Sequence, residues 1–248
     1  MIEVQNLEKR FDDVQAVRNL SFTAPDGAIT GLLGANGAGK STTLRMICGV
    51  LKPDAGSVCI DNVPSNNDGL GLQRRVGALL DHTGLYPRLT AREHLVYFGR
   101  LNGISRTCLS ERTDQVLSLL GLELVADRRT AGFSQGERMK IAIGRALIHS
   151  PRNLLLDEPT NGLDIPTVRA LRDLLVKMRD SGMCIILSSH VLNEIRALCN
   201  EVVIISKGSL AAHGCPEDLC RQSGSASLED AFVTLTSPKE NIECLPHR

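Results

Sequence analysis

The chain has 248 residues, enough for one large domain or a domain carrying an inserted lobe. Its 28 Lys and Arg offset 28 Asp and Glu, so bulk charge gives no reason to expect a nucleic-acid partner. No run of about 18 apolar residues is present to span a membrane, and Met1 to Asn6 lacks the basic-then-apolar pattern of a signal peptide.

The eight cysteines are scattered among apolar and helical stretches with no CxxC pair. They read as small buried hydrophobes in a reducing cytosol, not as a disulfide or zinc framework.

Residues 2–7 and 20–24 read as short strands around a turn at Asp12-Asp13, with Phe11 just ahead of the turn. Pro25-Asp26-Gly27 turns the chain into the apolar segment Ala28 to Leu33, a buried strand. That strand runs into Gly34-Ala35-Asn36-Gly37-Ala38-Gly39-Lys40-Ser41-Thr42, which fits G-x-x-x-x-G-K-[ST] and opens a helix closed by Gly49. Strand, glycine loop and helix form the context a phosphate-binding loop needs. Glycines at 34, 37 and 39 let backbone N–H groups, those of Asn36 and Ala38 included, turn inward around phosphate oxygens. The helix N-terminus adds partial positive charge there. Lys40 would reach the β- and γ-phosphates, and the Ser41 hydroxyl would ligate Mg²⁺.

Beyond the loop, Lys52-Pro53-Asp54-Ala55-Gly56 is a turn into a strand at 57–60, Pro64 to Gly71 reads as polar loop, and Arg75 to Leu80 is a buried strand. From Thr90 to His149 the pattern turns helical. Thr90 and Glu93 form a capping box, Asp114 to Leu120 is a helix ended by Gly121, and Ser134 caps a helix running to His149. Asn153 to Asp157 is a short apolar strand, and a helix with Pro166 in its first turn follows. Cys184 to Ser189 and Glu201 to Ser206 are further strands, separated by a helix over roughly 191–198. The stretch after Cys215 is polar and poorly periodic, and no function is read from it.

Strands alternating with helices imply a mostly parallel α/β sheet, in which ligands bind at the carboxyl ends of strands. Gly34, Asp157 and His190 each follow an apolar strand and so converge there. Asp157 and Glu158 have no basic neighbour in sequence and need a cation or a proton. With a phosphate loop beside them, Mg²⁺ held by Ser41 and Asp157 leaves Glu158 to orient or deprotonate water. Without the loop, the pair would read as a cap on the turn before Pro159, and His190 as a structural histidine.

The phosphate loop, Phe133-Ser134-Gln135-Gly136-Glu137, Leu154 to Thr160, Asn161-Gly162-Leu163-Asp164 and His190 come in the order and spacing of ATP-binding cassette (ABC) transporter ATPase subunits. The chain resembles that family over residues 1–214, with a helical lobe inserted at about 82–149 and a tail at 215–248. Thr83 to Thr90 and Arg92-Glu93-His94-Leu95 look like single-cassette exporter subunits of the sodium, multidrug or antibiotic kind.

The resemblance implies a P-loop fold with an antiparallel β lobe, and ATP with Mg²⁺ as cofactors. It implies catalysis by Glu158 and His190, and adenine stacking on Phe11. Ser134 and the Gly136 N–H would contact ATP held by a second copy, with Asp164 at the seam. The partners implied are that second copy and a separate membrane-spanning subunit, which places the chain on the cytoplasmic face of the membrane. A soluble ABC protein acting on DNA or ribosomes is the alternative. Against it, the chain carries one cassette and no sustained heptads.

Three positions depart from the family pattern, Gln135 among them standing where glycine is commonest. Asp81 stands where a glutamine is usual and is a second candidate for Mg²⁺. Glu137 stands where glutamine is commonest, placing negative charge near phosphate unless it points away or pairs with Arg138 or Lys140.

Overall fold

The computed structural model describes residues 1–64, 69–80 and 84–237, so Asp81 lies outside the described residues. Strands β1 (Ile2–Phe11) and β2 (Val14–Ala24) pair antiparallel across the Asp12-Asp13 turn. Both are longer than the expected 2–7 and 20–24. Register shifts and the positive φ of Asn6 and Asn19 break the alternation that would have revealed their full length.

Strand β3 (Ile29–Leu33) feeds the glycine loop and helix α1 (Lys40–Ile47). β4 (Ala55–Ile60) and β5 (Val63–Pro64) complete an antiparallel sheet of order β2-β1-β4-β5. The expected loop from Pro64 to Gly71 is only partly loop, because a short helix α2 (Gly69–Gln73) begins within it.

The second sheet holds β3, β6 (Val76–Leu79), β7 (Asn153–Asp157), β8 (Cys184–Ser189), β9 (Glu201–Ser206) and β10 (Ser209–Gly214), in the order β10-β9-β3-β8-β7-β6. All neighbours pair parallel except β10 at the edge. This is the expected parallel core with an antiparallel lobe.

Because strand side chains alternate between faces, the apolar runs feed two cores at once. Leu155, Ile186, Val203 and Ile205 pack with α1 and the antiparallel sheet, against Ile2, Leu20, Leu44 and Ile47. Leu154, Leu156, Ile185, Leu187, Val202 and Ile204 face the other way, into a helical layer. Each fully buried Leu or Ile contributes roughly 1.5–3 kcal/mol by leaving water, which pins the strand ends that carry the polar residues.

That helical layer includes α3 (Ala91–Leu101), α4 (Arg106–Leu120) and α5 (Gln135–Leu147), all within the expected inserted stretch. The Thr90–Glu93 capping box is present. α4 starts well before Asp114, capped by Ser105. α6 (Ile165–Asp180) and α7 (Leu192–Leu198) follow β7 and β8.

The stretch after Cys215 is ordered into α8 (Pro216–Ser223) and α9 (Leu228–Thr236). Leu219 and Leu228 are buried in the same core as Leu154 and Ile204. Among the described residues no helix is long and apolar enough to cross a membrane.

Candidate active site

Burial of all five β3 residues fixes where the glycine loop begins. The loop closes with the Ala38 N–H donating to Ala35 O at 3.1 Å, and α1 starts with the Thr43 N–H on Gly39 O at 2.9 Å. Gly39 has φ +106°, and a Cβ there would come 2.5 Å from the Ala16 carbonyl oxygen of β2. Only glycine satisfies both constraints.

The Lys40 side chain folds back over the loop and is 6% exposed. Its Nζ donates to Gly34 O at 2.8 Å and to Ala35 O at 3.4 Å, and it lies 3.5 Å from Glu158 Oε1. Ala16, Asn36 to Thr42 and Glu158 line a cleft of about 240 Å³ above it.

Parallel pairing sets Asp157, the last residue of β7, opposite Ser188 of β8. The buried Ser188 hydroxyl accepts the Glu158 N–H at 2.9 Å and donates to Asp157 Oδ1. Glu158 has φ +49°, a left-handed conformation rare for a non-glycine residue, and this swings its carboxylate across the strand ends. One oxygen faces Lys40, and the other lies 2.8 Å from His190 Nδ1. Asp157 and Glu158 also border a wider cleft of about 630 Å³ with Leu79, Leu80, Phe133 and Gln135.

Past Glu158 the chain turns tightly, the Asn161 N–H donating to Glu158 O at 3.2 Å. The Thr160 hydroxyl donates to Glu194 Oε2, tying this turn to α7 just after His190. Asp164 caps α6 by accepting the Thr167 N–H at 2.9 Å. The Thr167 side chain and then its N–H hold the Asp164 carboxyl below the usual carboxylate range.

Ser134 caps α5 in a reciprocal box. Its Oγ accepts the Glu137 N–H at 3.2 Å, and Glu137 Oε2 accepts the Ser134 N–H at 2.7 Å. Gly136 packs so closely on α6 that a Cβ would meet Thr167 Cγ2 at 2.7 Å. The charge of Glu137 is met by Arg128, whose Nη2 lies 2.6 Å from Oε1, and not by the expected Arg138 or Lys140. Arg138 instead donates to Ala131 O at 3.3 Å. Burial works against the Glu137 carboxylate, but the Ser134 bonds and Arg128 outweigh it and hold its pKa below the usual value.

Phe11 ends β1, 46% exposed, with Lys9 Nζ 5.6 Å from its ring centroid. The structure thus gathers Asn36 to Thr42, Asp157, Glu158 and His190 at neighbouring strand ends. Phe11, Ser134, Gly136 and Asp164 do not line the loop cleft, but Phe133 and Gln135, on either side of Ser134, share the wider cleft with Asp157 and Glu158.

Ser188, Thr160, Glu194 and Arg128 were not singled out in the sequence. The one signal for any of them was a pair of serines ending an otherwise apolar strand.

These residues suit a nucleoside triphosphate with its magnesium. Lys40 presents buried positive charge to the cleft, and the Ser41 hydroxyl has no hydrogen-bond partner among the described residues. Ser41 and Asp157 are the hard oxygen donors that Mg²⁺ prefers.

The sequence pattern of the ABC transporter family matches residues 17–161. The chain is 39% identical to the ABC transporter ATP-binding protein NatA of Bacillus subtilis, over 94% of this chain and 97% of that protein. It is 36% identical to the Nod factor export ATP-binding protein I of Burkholderia lata, over 88% of this chain and 72% of that one. Among solved structures, the ATP-binding subunit of an ABC transporter superposes with a TM-score of 0.85 at 30% identity, covering 96% of this chain and 100% of that chain. A bacterial ABC transporter cassette solved as a dimer superposes with a TM-score of 0.78 at 26% identity, covering 87% and 98%. The chain belongs to the ABC transporter family, as one of its ATP-binding proteins and an ATPase.

Proposed function

We propose that this ATPase powers an exporter of sodium ions or of drugs and antibiotics. In this reading two copies close on two Mg-ATP and drive a separate membrane-spanning subunit from its cytoplasmic face. The observation that carries the hydrolytic part is the double hold on Glu158, 3.5 Å from Lys40 and 2.8 Å from His190 at the mouth of the phosphate loop.

Glu158 takes the proton of the attacking water as general base. His190 keeps that carboxylate aimed and faces the γ-phosphate. Lys40 and the N–H groups of Gly37, Ala38 and Gly39 bind the phosphates, and Phe11 stacks on adenine. Ser41 and Asp157 hold Mg²⁺, which when bound offsets charge on the phosphate oxygens. Asp81 is a further candidate ligand.

Ser134 and Gly136 serve the other copy. Ser134 heads α5 at an exposed turn, open to a loop from the second copy. Asp164 lies at that seam. The dimeric cassette supports the two-copy arrangement, and the Nod factor export protein supports the direction of transport.

Purification of this chain from membranes, with assay of any polytopic membrane protein that comes with it, tests the transport reading. Stimulation of its ATPase by that partner is the expected outcome. Recovery of ribosomes or DNA with no membrane protein would overturn it.

A further inference from the structure

The glutamate at position 137 puts a negative charge on the same first helical turn as Ser134, the turn that the proposed function aims at a partner's ATP. An isolated carboxylate there repels phosphate. Here both of its oxygens are engaged. Oε2 takes the Ser134 N–H at 2.7 Å, and Oε1 lies 2.6 Å from Arg128 Nη2. Arg128 is itself held in place, its guanidinium 4.8 Å from the centroid of the Phe133 ring.

Ser134 Oγ accepts the Glu137 N–H at 3.2 Å, and its own O–H hydrogen goes to no partner among the described residues. The exposed hydroxyl therefore keeps a donor for an incoming phosphate oxygen while its acceptor side is fixed by the cap.

We infer that Arg128 is a positioning and charge-compensating residue for the nucleotide interface between two copies, neutralising Glu137 so that the Ser134 turn can approach a triphosphate. This rests on the two-copy reading above. Two consequences separate it from a brace role for Arg128. Losing Arg128 leaves a bare carboxylate at the interface, so the defect must shrink at high salt. It must also be repaired by Glu137→Gln, because glutamine can still accept the Ser134 N–H and complete the capping box without the charge.

The test is sedimentation equilibrium of the full chain at saturating Mg-ATP, with Glu158→Gln in every variant so that ATP persists. Arg128→Ala is expected to weaken association about tenfold at about 50 mM salt, and less at about 500 mM. Adding Glu137→Gln to Arg128→Ala is expected to restore association to within about threefold of the parent. Unchanged association in Arg128→Ala overturns the inference while leaving the two-copy reading intact. A double variant as weak as Arg128→Ala, with melting temperatures equal, also overturns it and makes Arg128 a structural brace. A Glu158→Gln parent that stays monomeric with ATP bound overturns the two-copy reading, and the inference falls with it.

Discussion

Ser188 of β8 and Glu158, just past the end of β7, are joined side chain to backbone, the Glu158 N–H donating to Ser188 Oγ at 2.9 Å. The same hydroxyl donates to Asp157 Oδ1, so one buried serine fixes two adjacent carboxylate residues. Glu158 holds φ +49° against that anchor. Replacing Ser188 with Ala leaves the Glu158 N–H without its partner and costs roughly 1–2 kcal/mol, to be read by urea denaturation. We expect ATP turnover to fall as well, with KM for ATP little changed, because the carboxylate is no longer aimed. Parental kcat in Ser188→Ala would show that the anchor does not serve the chemistry.

Glu158→Gln keeps the shape of the side chain and removes its basicity. Turnover should drop by about 10²- to 10⁴-fold, the range for a lost general base, while ATP still binds. An ATPase assay run beside equilibrium dialysis checks both halves. A variant hydrolysing at the parental rate would assign the base elsewhere.

Lys40 is 6% exposed and lines the loop cleft, where its positive charge would meet a bound phosphate. Lys40→Ala should weaken ATP binding by at least about tenfold, the loss of one charge-assisted contact. Fluorescent-nucleotide titration measures it. An unchanged dissociation constant contradicts the loop assignment.

The first turns of α3 carry a pH dependence. His94 is buried, with Nε2 accepting the Tyr86 N–H at 2.8 Å and Nδ1 2.9 Å from Thr90 O, so the ring is held neutral with its proton on Nδ1. Burial holds its pKa below the usual value, Arg145 pushes the same way, and the Thr90 carbonyl opposes them. In the unfolded chain the ring takes a proton near pH ~6.5. Below that pH the unfolded state binds more protons than the folded one, so stability falls until the folded ring titrates. His149, also lowered by burial, adds to the slope. Denaturation between about pH 7.5 and about pH 5.5 should show a shallower loss in His94→Gln than in the parent. Equal slopes would contradict the assignment.

Much of this was legible in the sequence, for physical reasons. Runs such as Leu154-Leu155-Leu156 and Cys184-Ile185-Ile186-Leu187 are short enough, and bounded closely enough by turns, to read as strands buried on both faces, which puts the polar residues just past them on one edge of the sheet. Caps at Thr90 and Ser134, and Pro166 in the first turn of α6, announced helices through local chemistry alone.

What stayed hidden depended on tertiary pairing. The ordering of 216–236 comes from a few apolar positions, Leu219, Leu228 and Ala231, packing on a layer made by distant strands. Its serines and Gly224, which read as loop, act as caps: Ser227 starts α9 and Gly224 ends α8 in a left-handed conformation. The pairing of Arg128 with Glu137 and of Thr160 with Glu194 crosses element boundaries that no local period reports.

The central claim is that each site is built from the loop of one copy and Ser134 of another. Mixing two inactive variants, Lys40→Ala and Ser134→Arg, tests it most directly, because a mixed pair holds one site with both halves intact. ATPase activity, absent from each variant alone, is expected to reappear in the mixture. A mixture as inactive as its components, or a Ser134→Arg variant active by itself, would contradict it.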